Sequence, residues 1–300
     1  MDAHHSHEHG VGADADRRRL AVALGLIVAF MAAEVVVGIL VDSLALLADA
    51  AHMLTDAGAL ALALVVIRLA ARPPGGNLTF GLKRSEILSA QANGLTLLVL
   101  GGLIVYEGVR RLISPPEPAG LALVLVAVAG VIVNLVATGQ LSKANRESLN
   151  VEGAFRHILT DLIAFAATAI AGAVIMATGF VRADGIAALL VAGIMFTAAY
   201  GLLRDSGRVL LQAAPKGMDV EEIGRALARQ PGVVQVHDLH VWEVTSDFPS
   251  LSAHVLVEPD ADCHAVRREL EALLRERFDL EHTTLQVDHG SRRGLVQIGH

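Results

Sequence analysis

Residues 44–71 read LALLADAAHMLTDAGALALALVVIRLAA, 28 positions whose formal charges are Asp49, Asp56 and Arg68 and whose one imidazole is His52. As a helix the stretch rises about 42 Å at 1.5 Å per residue. That is more than the roughly 30 Å hydrocarbon core of a bilayer. Its length and apolarity predict a membrane helix, and its polar residues then need a reason. An ionised aspartate at mid-depth costs at least about 3 kcal/mol even on the mildest scale. His52-Met-Leu-Thr-Asp56 supplies a partner, because residues i and i+4 share a helix face.

Five further runs have the same character: Leu20–Val41, Ser85–Leu112, Leu121–Leu141, Val151–Gly179 and Ala183–Leu203. Arg72-Pro-Pro-Gly-Gly, Ser114-Pro-Pro-Glu-Pro and the polar segment Ser142–Asn150 separate them, as helix-breaking residues should. Six transmembrane helices are expected. Charge density agrees: residues 20–203 hold 21 charged side chains in 184 positions, whereas residues 204–300 hold 27 in 97. The expected domains are a His-rich cytoplasmic tail (1–19), a transport domain (20–209) and a cytoplasmic domain (210–300). With the N-terminus inside, inner segments carry 12 Lys and Arg and outer loops carry Arg110, Arg111 and Arg182. The positive-inside rule thus puts both termini in the cytoplasm.

Composition excludes several classes. One cysteine, Cys263, forms no intrachain disulfide framework or Cys-rich zinc fold. A net charge of −7 with no basic patch argues against nucleic acid as a partner. Residues 1–16 are polar and acidic, so no cleavable leader is expected. H-E-x-x-H is absent and no Ser–His or Cys–His motif stands out, so the chain does not read as an enzyme.

After residue 210 the pattern changes. Asp219–Gln230 is a charged amphipathic helix, Val233–Thr245 and Leu251–Val257 alternate as strands, Asp262–Phe278 has helical apolar spacing, and Thr283–Asp288 alternates again. The order αββαβ predicts an α+β, ferredoxin-like cytoplasmic domain with helices on one side of a small sheet. About 85 residues make only a marginal core, which dimerisation would supplement.

Of 13 histidines, only His52 and His157 fall among the apolar runs. Each precedes an aspartate by four: His52/Asp56 in the second run and His157/Asp161 in the fifth. Two such faces opposed would present two imidazoles and two carboxylates, a tetrahedral set suited to a first-row divalent ion and to zinc above all. The second and fifth spans run in opposite directions and carry the motif at matching depth, as an inverted repeat does. Asp49, one turn before His52, reads as a reserve ligand, a proton acceptor or, in preference, the partner that orients His52. Glu34 and Asn93 read either as polar path or as helix packing. Arg156, beside His157, is expected to snorkel to the headgroups.

Three stretches resemble the cation diffusion facilitators, specifically the zinc/cobalt/cadmium branch: Asp42–Asp56 (DSLALLADAAHMLTD), Phe80–Leu88 (FGLKRSEIL) and Val236–Trp242 (VHDLHVW). The resemblance covers almost the whole chain. It implies proton-coupled zinc (Zn2+) efflux from the cytoplasm by a homodimer, with Co2+ and Cd2+ as the alternative ions; the compact size points to a bacterial inner membrane. It implies His52, Asp56, His157 and Asp161 as transport ligands, and His237, His254, His264 and Asp288 as ligands for regulatory zinc in the cytoplasmic domain. Gln286 stands where some relatives carry His. Residues 72–79 contain neither His nor Asp, so no site is expected in that loop. His4, His5, His7 and His9 form a tract able to hold zinc loosely. The alternative reading is a membrane-bound zinc sensor through which nothing crosses.

Overall fold

The structure, a computed structural model, describes residues 8–40, 44–114 and 121–290. The side chains of residues 8–15, 38, 44–52, 55, 121–123 and 126 lie outside that description. The His4/His5/His7/His9 tract, Asp49 and the His52 imidazole therefore fall outside it. The chain divides into two compact units, Met1–Gly207 and Arg208–His300.

The first unit is built from six long helices: α1 (Glu8–Leu40), α2 (Leu44–Ala70), α3 (Ser85–Ile113), α4 (Leu121–Leu141), α5 (Leu149–Thr178) and α6 (Ala183–Leu210). Among the described residues, four segments are long and apolar enough to cross a membrane: Asp16–Val37, Ser85–Ile113, Leu149–Thr178 and Ala183–Leu210. Side chains such as Leu95, Leu103, Ile132 and Ile170 stand exposed on the outside. An apolar surface of that kind is a liability in water and at home in lipid.

Inside, α1, α2, α4 and α5 share a core of Leu20, Ile27, Met53, Leu60, Leu141, Phe155 and Ile158. Helices α3 and α6 share another, of Leu97, Val191, Met195, Ala199 and Leu202. Apolar burial gains nothing over lipid, so close backbone approach has to hold such helices together. Gly94, Gly101 and Gly108, seven residues apart on α3, supply it by facing Leu202, Phe196 and Leu189 of α6. A Cβ on Gly185 would sit 3.0 Å from the Gly108 carbonyl oxygen. Gly185→Val is expected to cost about 1–3 kcal/mol by overpacking, read as a lower Tm of the purified protein in detergent.

Helix α1 starts twelve residues before the expected Leu20, at Glu8. Buried Asp16 accounts for the inner part of that extension: its Oδ1 accepts the Asn145 N–H at 3.0 Å and faces Arg19 at 3.4 Å. This tie fastens α1 to the α4–α5 connection. The start of α5 is fixed by Ser148, whose hydroxyl caps Val151 N and donates to Glu86 of α3.

The second unit contains α7 (Val220–Ala228), β1 (Val233–Glu243), β2 (Pro249–Val257), α8 (Cys263–Phe278) and β3 (His282–His289). The strand order is β1-β2-β3, β1 running antiparallel and β3 parallel to β2. Leu251, Ala253, Val255 and Val257 alternate inward from β2 onto Ile223 and Leu227 of α7 and Leu270 and Leu274 of α8. Asp219 and Asp262 cap the two helices.

The Ala265 and His264 N–H groups hold the Asp262 carboxyl below the usual carboxylate range. A depressed folded pKa stabilises fully above about pH 4 and is lost as pH falls through the folded value. Hydrogen-exchange protection of those two amides is expected to fall on acidification below about pH 4. In Asp262→Ala it should be low throughout.

Candidate metal centre

Asp56 of α2 and His157 and Asp161 of α5 meet in the interior of the first unit, 3%, 1% and 7% exposed. His157 Nε2 lies 2.8 Å from Asp56 Oδ1 and 3.9 Å from Asp161 Oδ2. One ligand atom from each of the three falls within 4.8 Å of the others. A tetrahedral zinc with bonds of about 2.1 Å has ligand–ligand edges of about 3.4 Å, so one ion at their centre could reach all three. Among the described residues no other group of three His, Cys, Asp or Glu converges in this way.

The helices are held in register at this depth. Asn150 Nδ2 donates to the Ala63 carbonyl at 3.0 Å. Asn150 lies seven residues before His157, and Ala63 seven residues after Asp56. Two contacts seven residues apart on each of two antiparallel helices define one straight seam about 10 Å long. The nearer pairing of His157 is thus across helices to Asp56, not along its own helix to Asp161. His157 Nδ1 is buried and has no hydrogen-bond partner among the described residues, so Nε2 is the nitrogen turned toward both carboxylates.

Arg156, expected to snorkel, turns back along its own helix toward the start of α5. Its Nε binds Glu152 Oε1 at 2.6 Å, and Glu152 also takes Arg146 at 2.9 Å. That carboxylate, one turn earlier on the same helix, compensates the charge beside the cluster.

In the second unit, His237 pairs across the sheet with His254, their ring centroids 5.4 Å apart, and His254 pairs with Gln286. Gln286 Nε2 donates to Asp288 Oδ2 at 2.9 Å. These four share the sheet face opposite the helices. His264 is elsewhere, exposed in the first turn of α8 with its N–H on Asp262.

Strict alternation would separate His237 from His240. The strand is irregular between them, however, with Asp238 at φ 54°, and His240 pairs with Ser252 on the same face as His254. There it is exposed and bound to Asp238 at 2.9 Å. The sequence offered no sign of this bulge, because a left-handed aspartate inside a strand resembles any other polar position.

Comparison with known proteins agrees with both units. The cation efflux transmembrane domain profile matches residues 20–211, and the cation efflux protein cytoplasmic domain profile matches residues 215–290. Metal cation efflux system protein CzcD of Cupriavidus metallidurans is 41% identical over 293 residues, covering 96% of this chain and 90% of that protein. Zinc transporter ZitB of Escherichia coli is 38% identical over 290 residues, covering 95% and 92%. A Bacillus subtilis protein named as a cadmium, cobalt and zinc/H(+)-K(+) antiporter is 32% identical over 287 residues, covering 94% and 91%. This chain belongs to the cation efflux family, the cation diffusion facilitators, a family of membrane transporters and not of enzymes.

Proposed function

We propose that this chain exports zinc from the cytoplasm in exchange for protons, by alternating access to one site formed by His52, Asp56, His157 and Asp161. The observation that carries the reading is the buried Asp56–His157–Asp161 group. His52, one helical turn before Asp56 on α2, is the fourth ligand that completes a His2Asp2 tetrahedron. Asp49, a further turn back, orients it. Cobalt and cadmium fit the same donor set, and the names of the relatives include all three ions.

Two carboxylates and a divalent ion sum to zero, so the loaded site is neutral and suited to a low-dielectric interior. Without the ion, two ionised carboxylates would be left at depth, an expensive state that protons relieve. The 2.8 Å contact between His157 Nε2 and Asp56 Oδ1 requires a proton between them. An ion bound at Nε2 takes that proton's place, which makes metal and proton competitors for one atom. Exchanging one Zn2+ for one H+ moves a net charge outward at about 2.3 kcal/mol per 100 mV, which the pH gradient must supply.

All six helices span the bilayer in this reading. Both termini lie in the cytoplasm of a bacterial inner membrane, with domains at 1–19, 20–209 and 210–300. The domain after residue 210, ferredoxin-like in order, joins two copies as a homodimer. It binds regulatory zinc through His237, His254 and Asp288 on one sheet face, with His264, which lies apart from them on α8, as a separate ligand.

The test is zinc uptake into sealed vesicles of purified protein carrying an internal zinc dye. The parent should fill the lumen and His157→Ala should not. A folded parent that binds zinc without uptake would make the chain a sensor.

A further inference from the structure

Around the seam between α2 and α5, α3 carries polar residues that the transport site does not use. Ser85, Ser89 and Asn93 recur every four residues, so they form one stripe on α3. Asn93 is 1% exposed and Ser89 2%. Ser85 Oγ, Ser89 Oγ and Asn93 Nδ2 are all buried and have no hydrogen-bond partner among the described residues. Across from Asn93, Nδ2 lies 3.2 Å from the position a Cβ would take on Gly153 of α5, one turn before His157. Asn150, two turns before His157, spends its Nδ2 on Ala63 and leaves Oδ1 buried and unpaired.

Each such atom costs about 1–3 kcal/mol if it stays unsatisfied. Three on one stripe of α3 and a fourth at the start of α5 are therefore hard to account for as packing. Buried polar atoms of this kind are normally met by water. The opposite side of α3 is apolar and exposed at Leu88 and Leu95, so the stripe faces inward by design of the sequence. Gly153 keeps the space beside Asn93 open, because any side chain there would press on the amide.

We propose that Ser85, Ser89 and Asn93 of α3, with Asn150 of α5, line a hydrated lane along which the partly hydrated divalent cation travels to Asp56, His157 and Asp161. The Ser85 and Ser89 hydroxyls and Asn150 Oδ1 replace departing waters one at a time without binding the ion tightly, which is what passage requires, while Asn93 Nδ2 donates to waters the ion keeps. The polar groups are uncharged, so the lane attracts no counter-charge when no ion is present. This inference rests on the transport reading, with Ser85 and Asn150 at the cytoplasmic end.

The single native cysteine permits a direct test. In a Cys263→Ser parent, Ser89→Cys, Asn93→Cys, Leu88→Cys and Leu95→Cys proteins are placed in inside-out vesicles. Each is treated from the cytoplasmic side with a small cationic methanethiosulfonate. A thiol in water ionises and reacts, whereas one in hydrocarbon does not, so Ser89→Cys and Asn93→Cys should label at least about tenfold faster than the two leucine positions. Saturating zinc should slow the labelling at Asn93→Cys. Equal, slow labelling at all four positions would overturn the lane, as would labelling at Ser89→Cys and Asn93→Cys only from the opposite side.

Zinc uptake by the Cys263→Ser parent is measured beside the labelling. Uptake without reactive lane cysteines removes this inference alone. Reactive lane cysteines without uptake remove the transport reading and reduce the stripe to a water-filled crevice. Asn93→Ala, a smaller change, is expected to lower uptake by raising KM for zinc with little change in maximal rate.

Discussion

Asp161→Asn protein reconstituted in vesicles is expected to take up zinc at least about 100-fold more slowly than the parent, since even partners that merely orient metal ligands are worth 10–100-fold. The amide keeps the size and one oxygen of the carboxylate, so the packing around His157 survives. What it removes is a charge. A site with one carboxylate and a divalent ion carries a net positive charge in a buried position, and burial without compensation is costly. Asp56→Asn should match it in flux. It also alters the 2.8 Å contact with His157 Nε2, so the imidazole loses the acceptor that holds its orientation. Tm measurements separate the two effects. A lost ligand leaves the fold intact, whereas a collapsed seam would lower Tm and lose the Asn150–Ala63 bond as well. Uptake near the parental rate in both variants would mean that the cluster is a structural polar pair.

The second large effect is on pH dependence. If zinc displaces one proton from the His157–Asp56 contact, apparent affinity falls about tenfold per pH unit over the range where that proton is bound. The sign follows from competition: acid favours the protonated ligands and weakens zinc binding, and alkali strengthens it. Calorimetry in two buffers of different ionisation enthalpy measures the proton count directly. Buffer-independent heats would show that no proton leaves, and would leave the site without a basis for exchange.

Much of the first unit was legible because lipid imposes a simple rule on sequence. The run read as Leu44–Ala71 folds as α2, Leu44–Ala70, and Leu121–Leu141 is the same in both. The apolar signal stops where polarity begins, so the polar first turns of α1 were missed: Glu8–Arg19 has charge but no periodic greasy face to betray a helix. The order of elements in the second unit was likewise readable from alternation and spacing.

The candidate site was legible as residue types and as two opposed helix faces, but not in its contacts. Spacing pointed to His157 with Asp161 along one helix. The shorter contact, from His157 across to Asp56, depends on how α2 packs on α5, and a one-dimensional pattern does not encode that. The Asn150–Ala63 bond was hidden for the same reason, since a backbone carbonyl leaves no mark in the sequence. The three glycines of α3 passed unremarked in the sequence, because their seven-residue spacing gains meaning only against Phe196 and Leu189 of α6. Asp238 reset the phase of β1 and moved His240 onto the face of His237, an outcome that alternation alone predicts wrongly.

The measurement that bears most directly on exchange at this cluster is simultaneous recording of lumenal zinc and lumenal pH in sealed vesicles under an imposed pH gradient. Parent and Asp161→Asn proteins would be run side by side. Zinc entry should scale with the gradient and be matched by proton exit in the parent, and both should vanish in the variant. Zinc entry that ignores the gradient, or that persists in Asp161→Asn, would contradict proton-coupled transport through Asp56, His157 and Asp161.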